Sequence, residues 1–149
     1  MGSLPACLWS VHTGSVTDED WSAYVGRIGD APEEYRAGAC ILTVVVRGQR
    51  PSAVQRRQLA DVIETVPEGL FAHAFVTDSA AIRGVLTALQ WLIRKPYVEK
   101  SFVRVPPALH WAKETVRGLD PDAVVAALTA EVPASMLEPV LAREARGVS

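Results

Sequence analysis

Residues 37–48, AGACILTVVVRG, form an unbroken apolar run rich in β-branched side chains. Crowding at Cβ disfavours a helix there, and a strand with one wet face would alternate polar and apolar residues. The run therefore predicts a strand covered on both faces, the interior of a layered α/β sheet. LFAHAFVT (70–77) has the same character, and ACLWSVH (6–12) and KSFVRV (100–105) read as further strands.

Between these runs the hydrophobic period becomes helical. TDEDWSAYVGRI follows the first strand, with Thr17 as N-cap and Asp18, Glu19 and Asp20 at the positive end of the helix dipole. Trp21, Tyr24, Val25 and Ile28 share one face, and Gly29, Asp30 and Pro32 are expected to end the helix. A second helix, from about 51 to 64, is expected to turn Val54, Leu59, Val62 and Ile63 inward, with Val66 after it. A third, SAAIRGVLTALQWLIRK, starts at the cap Ser79 and carries Ile82, Val85, Leu86, Leu89, Leu92 and Ile93. PPALHWAKETVR is a short fourth helix.

Strands that alternate with helices imply right-handed crossovers and a mostly parallel sheet. The expected architecture is α/β, a single mostly parallel sheet of four to five strands with flanking helices over 1–118. A C-terminal helical extension over 119–149 follows, opened by Asp120 and Pro121, with Ser135 and Glu138 in capping-box positions of a terminal helix.

The bulk properties exclude whole classes of function. With 49% hydrophobic and 21% charged residues in 149, the chain is a globular domain rather than a disordered one. A net charge of −2 and a pI of about 5.9 give no basic footprint for sequence-independent nucleic-acid binding. The most apolar helix is too short to span a bilayer and contains Arg83, so no membrane span is expected. MGSLPACLW lacks the order of a signal peptide. Cys7 and Cys40 lie in apolar runs with no Cys or His at short spacing, which reads as two buried thiols in a reducing, cytoplasmic setting. No metal or cofactor is expected.

RGQRPSAVQRRQ (47–58) is the densest polar signal. It sets Arg47, Arg50, Arg56 and Arg57 around Ser52, where a strand hands over to a helix. Free amides and the helix dipole attract anions there, and guanidiniums add charge-assisted bonds, so Ser52 is a candidate anion or phosphorylation site. Capping and solvated arginines explain the same residues. Asp78 and Ser79 repeat the pattern at the next junction, on the same edge of a parallel sheet. Along the third helix Gly84, Ala88 and Trp91 make a second apolar stripe, which faces a partner, a ligand or the C-terminal extension. His12, His73 and His110 stand singly and read as structural. With no Gly-x-Ser-x-Gly elbow, His-x-x-x-His pair or Walker-type loop, no catalytic set assembles.

Taken in order, TDEDWSAYVGRI, RPSAVQRRQLADVI, VTDSAAIRGVLTALQWL and FVRVPPALHWAKE resemble the STAS-like family of small bacterial α/β proteins over roughly residues 5–117. That family is related to the sporulation anti-anti-sigma factors and shares its sheet with CRAL-TRIO lipid-binding domains. The resemblance implies a regulatory domain controlled by phosphorylation at the start of the helix after a central strand, here Ser52, and docking to a protein partner. Where the regulators carry an Asp-Ser-[Ser/Thr]-Gly-like signature, this chain reads GQRPSAV, and the first strand of their N-terminal hairpin is not evident. The expected function is a non-enzymatic, protein-binding regulatory domain. The alternative is a carrier of a small apolar or amphipathic ligand, and a homodimer through the third helix is compatible with both.

Overall fold

The computed structural model describes residues 1–92 and 94–141, apart from the side chains at 89, 90 and 92. The elements in chain order are β1 (Gly2–Leu4), β2 (Cys7–Thr13), α1 (Asp18–Glu34), β3 (Ala39–Val46), α2 (Ala53–Ile63), β4 (Phe71–Thr77), α3 (Ala80–Leu92), β5 (Val98–Phe102), α4 (Val105–Thr115), α5 (Pro121–Glu131) and α6 (Ala134–Leu141). They build one five-stranded sheet of order β1-β2-β3-β4-β5, parallel except for the antiparallel β1–β2 pair. The fold is therefore the α/β arrangement that the apolar runs demand, and its layout is consistent with a STAS-like one.

Every parallel strand is followed in space by the next in sequence, so the crossovers α1, α2 and α3 step the same way and fall on one face. The opposite face is left for α4, α5 and α6. Alternation along the strands divides the core accordingly. Cys7, Trp9, Leu42, Val44 and Val76 point to the first face and pack with Leu109, Leu128, Leu137 and Val140. Leu8, Ile41 and Phe71 point to the second face and pack with Trp21, Val25 and Ile28 of α1. The segment after residue 118 thus supplies part of the first face.

Several boundaries differ from expectation, each for a local physical reason. A short β1 does pair with β2, and Gly2 permits it: a Cβ there would lie 2.3 Å from the Trp9 ring. Helix α1 runs on through Gly29 and Pro32. Buried Ala31 and Tyr35 hold that last turn, with the Tyr35 hydroxyl donating to the carbonyls of Leu4 and Cys7 at 3.3 Å. Val54 is 68% exposed, because α2 turns Gln55 inward in its place. β5 starts two residues earlier than expected, at Val98, and α6 starts at Ala134, so Ser135 falls inside its first turn rather than at the cap. Of the inward residues expected on α3, Ile82 and Leu86 are half-buried and Val85 is exposed, whereas the side chains of Leu89 and Leu92, and residue Ile93, lie outside what is described.

Cys7 and Cys40 are register partners on β2 and β3, fully buried and unbonded. A hydrogen bond between the two thiols, then burial, pushes the Cys7 thiol far above its ordinary range. Both thiols are also closed off from solvent, so neither should react with a disulfide reagent in the native protein. Both should react after unfolding in guanidinium. Thiol titration with and without denaturant checks this, and rapid native reaction would contradict the packing of this face. No helix among the described residues is long and apolar enough to cross a membrane.

Candidate functional site

The arginine-rich junction folds around a capping box. The Ser52 hydroxyl accepts from the Gln55 amide at 3.1 Å, and the Gln55 side-chain carbonyl accepts from the Ser52 amide at 2.9 Å. Gln55 also donates to Asp18 at 3.0 Å, and its backbone carbonyl accepts from the Trp21 indole at 2.9 Å. One cap therefore couples the starts of α1 and α2. Arg56 donates to the Pro51 carbonyl at 2.8 Å, while Arg47, Arg50 and Arg57 are exposed, with no ion pair among the described residues. Replacing Ser52 by alanine should cost about 1 kcal/mol, the usual worth of such a cap. Urea unfolding measures it.

The neighbouring junction meets this one. Arg47 adopts a left-handed backbone (φ 52°), and its amide donates to Asp78 at 3.2 Å, which ties the carboxyl ends of β3 and β4. Gly48 follows because a side chain there would run into Val45, and its Cβ position lies 3.9 Å from Ile82 on α3. Ser79 caps α3 by accepting from the Ile82 amide at 3.2 Å. Ser52, Arg47, Asp78 and Ser79 thus lie along one edge of the sheet, although only Arg47 and Asp78 touch across it.

Helix α3 turns a charge-free face to solvent. Ala80, Ala81, Gly84, Thr87, Ala88 and Trp91 are exposed, Trp91 by 85%, and nothing lies within 4 Å of where a Gly84 side chain would begin. Gly84 and Ala88 therefore open to solvent rather than leave space inside. Arg83 turns back to donate to the Thr77 carbonyl at 2.7 Å. Two open clefts, one of about 500 Å³ beside Pro5, Tyr35 and Arg117 and one of about 310 Å³ beside His12 and Asp20, include no α3 residue.

A polar seam crosses the second face beneath these surfaces. His12 bonds Ser10 at 3.1 Å and meets the Tyr24 ring edge-on, with centroids 5.0 Å apart. The Tyr24 hydroxyl bonds Thr43 at 3.2 Å, and Thr43 bonds His73 Nε2 at 2.9 Å. His73 Nδ1 bonds Glu99 at 2.6 Å, and the other Glu99 oxygen accepts from Lys95 at 2.6 Å. The register sets this order, since His73 lies directly opposite Glu99 in the β4–β5 ladder. Burial opposes the Glu99 charge, but His73 and Lys95 outweigh it and hold the carboxyl down at about 2. Burial pushes the Tyr24 hydroxyl up to about 12 and lowers His12, favouring its neutral form.

Hydroxyl, imidazole and carboxylate stand here in the order of an acyl-transfer triad. Thr43, however, is 3% exposed, and its oxygen is already shared with Tyr24 under α1. No substrate reaches it, and the seam acts as a satisfied buried network that links three strands. Sequence reasoning treated His73 as structural but missed its partners. Thr43 is a polar residue buried in an apolar run, and that was a readable signal. Glu99 and Lys95 carry no such signal, because the apolar pattern points to a strand from 100 whereas β5 begins at Val98. His110, by contrast, is exposed and lies 3.5 Å from Glu114 on its own helix. No family model, curated protein or solved structure matches the chain.

Proposed function

We propose that the chain is a cytoplasmic, non-enzymatic regulatory domain of STAS-like type that docks a protein partner. Its docking surface is the strand-end edge with Ser52, Arg56, Asp78 and Ser79, together with the outward side of α3. One observation carries this reading: from Ala80 to Trp91 the solvent-facing side of α3 holds no charged residue. An exposed apolar helix face is costly to leave in water and commonly marks an interaction site. Arginines beside it add steering and specificity.

Phosphorylation sensitivity belongs to the same reading. Ser52 is exposed, and a phosphate on it would sit at the start of α2 with Arg56 one turn away and Arg47, Arg50 and Arg57 without an ion pair among the described residues. Such placement allows about one to three new charge-assisted bonds. Converting Arg56 and Arg57 together to glutamate is expected to weaken capture of the partner at least about tenfold, the scale of a lost charged contact. Quantitative pull-down from the native cytosol measures this. Unchanged recovery removes this surface from the account, and intact mass of the protein from its own cells reports whether Ser52 carries phosphate.

A second reading, a carrier for a small apolar or amphipathic ligand, draws support from the second face. Val45 and Phe75, which face the crossover helices, are only half-buried. An apolar floor of that kind suits an apolar guest. Native mass spectrometry distinguishes the two readings: a dissociable small-molecule adduct favours the carrier, and a bare chain favours docking. The same spectrum shows whether two copies associate.

A further inference from the structure

We propose that α3 and β5 form a separable unit of this fold, and that the Glu99 carboxylate is the clasp holding it to the sheet. The packing is lopsided. In β3 every residue but Val45 is buried, and α4, α5 and α6 each contribute wholly buried side chains. Neither β5 nor, among its described side chains, α3 contributes one. β5 is also the last strand of the sheet and, among the described residues, pairs only with β4. Segments with so few buried contacts open at lower free energy than the core around them.

Glu99 compensates for that thin packing. Its side chain is 4% exposed, and its two oxygens reach in different directions. One meets His73 on β4, and the other meets Lys95 in the connection between α3 and β5, both at 2.6 Å. Tyr97 closes over the pair, edge-on to His73 with centroids 5.6 Å apart and 5.9 Å from the Lys95 ammonium. His73, Lys95, Tyr97 and the more distant Tyr24 are among the titratable groups that act on the carboxylate. A single side chain thus ties the connecting segment, the edge strand and the interior strand together. Releasing it frees α3 and the start of β5, while Phe102 at the other end of the strand stays packed against Trp111 and the first-face core, and it uncovers His73 and Phe75. The outward side of α3 then has two positions available without unfolding of the domain.

Hydrogen exchange of the full chain, followed by mass spectrometry, tests this. In the wild type, α3 and β5 are expected to exchange at least about tenfold faster than β2, β3 and α4. Glu99→Gln should speed α3 and β5 by about a further tenfold, with β2, β3 and α4 still at least about tenfold slower than they are. Helix α2, whose only buried residue is Gln55, is the internal control. Mere exposure would make α2 exchange fast too, but it would not make α2 respond to Glu99. A wild type in which all segments exchange at one rate overturns the proposal, as does a Glu99→Gln variant in which α3 and β5 do not accelerate. If Glu99→Gln does not fold, the wild-type pattern and Lys95→Met decide the matter, with the same two outcomes.

Discussion

Glu99→Ala is expected to lower the unfolding free energy by about 3–5 kcal/mol, the range for breaking one partner out of a buried pair. The substitution leaves Lys95, 17% exposed at its side chain, and the His73 Nδ1 position without their shared acceptor. The loss should depend on pH in a defined direction. In the folded chain the Glu99 carboxyl is held at about 2, against an ordinary 4.5. Between those values the unfolded chain binds the proton first, so the wild type loses stability as pH falls from about 4.5 toward 2. Above that window the contribution is fully present. Chemical denaturation at pH 7 and at pH 3 should therefore show a gap between wild type and Glu99→Ala that narrows in acid. A gap of constant width would mean that the carboxylate charge is not what the seam uses.

Leu109→Ala should be comparably severe, costing about 3–5 kcal/mol. Leu109 is fully buried on α4 within the first-face cluster, among Val44, Val76 and Leu128. Sheet and helices enclose it, so the neighbours cannot collapse into the space left behind. Urea unfolding monitored by tryptophan fluorescence measures the loss. Trp91→Ala is the contrasting case. Its ring is 85% exposed, and the expected change is within about 0.5 kcal/mol. A large loss at Trp91 would mean that its ring is covered.

Much of this architecture is written in the chain, and the reasons differ by element. The runs at 37–48 and 70–77 announce doubly covered strands because a buried parallel strand tolerates almost no polar side chain. Helix starts are equally plain, since Thr17, Ser52 and Asp120 each cap the helix that follows. Helix ends are not. Pro32 and Gly29 signal a stop, yet burial of Ala31 and Tyr35 carries α1 past both, and no local rule contains that tertiary contact. The arginine junction was legible as a cluster around a cap. Its coupling to α1 through Gln55 and Asp18 was not, because the contact joins residues 37 apart in sequence. The polar seam was the least legible feature. Its seven side chains come from α1, four strands and a connecting segment, and only the register sets His73 opposite Glu99.

The account turns on the outward side of α3 being a docking surface, and position 91 reports on it directly. A photo-crosslinking amino acid in place of Trp91 in the full chain, expressed in its own cells, should give one protein adduct of defined mass. The same probe at exposed Asp122 on α5 should not. Conversion of Arg56 and Arg57 to glutamate should abolish the adduct. No adduct from position 91, or the same adduct in equal yield from position 122, would contradict the docking reading.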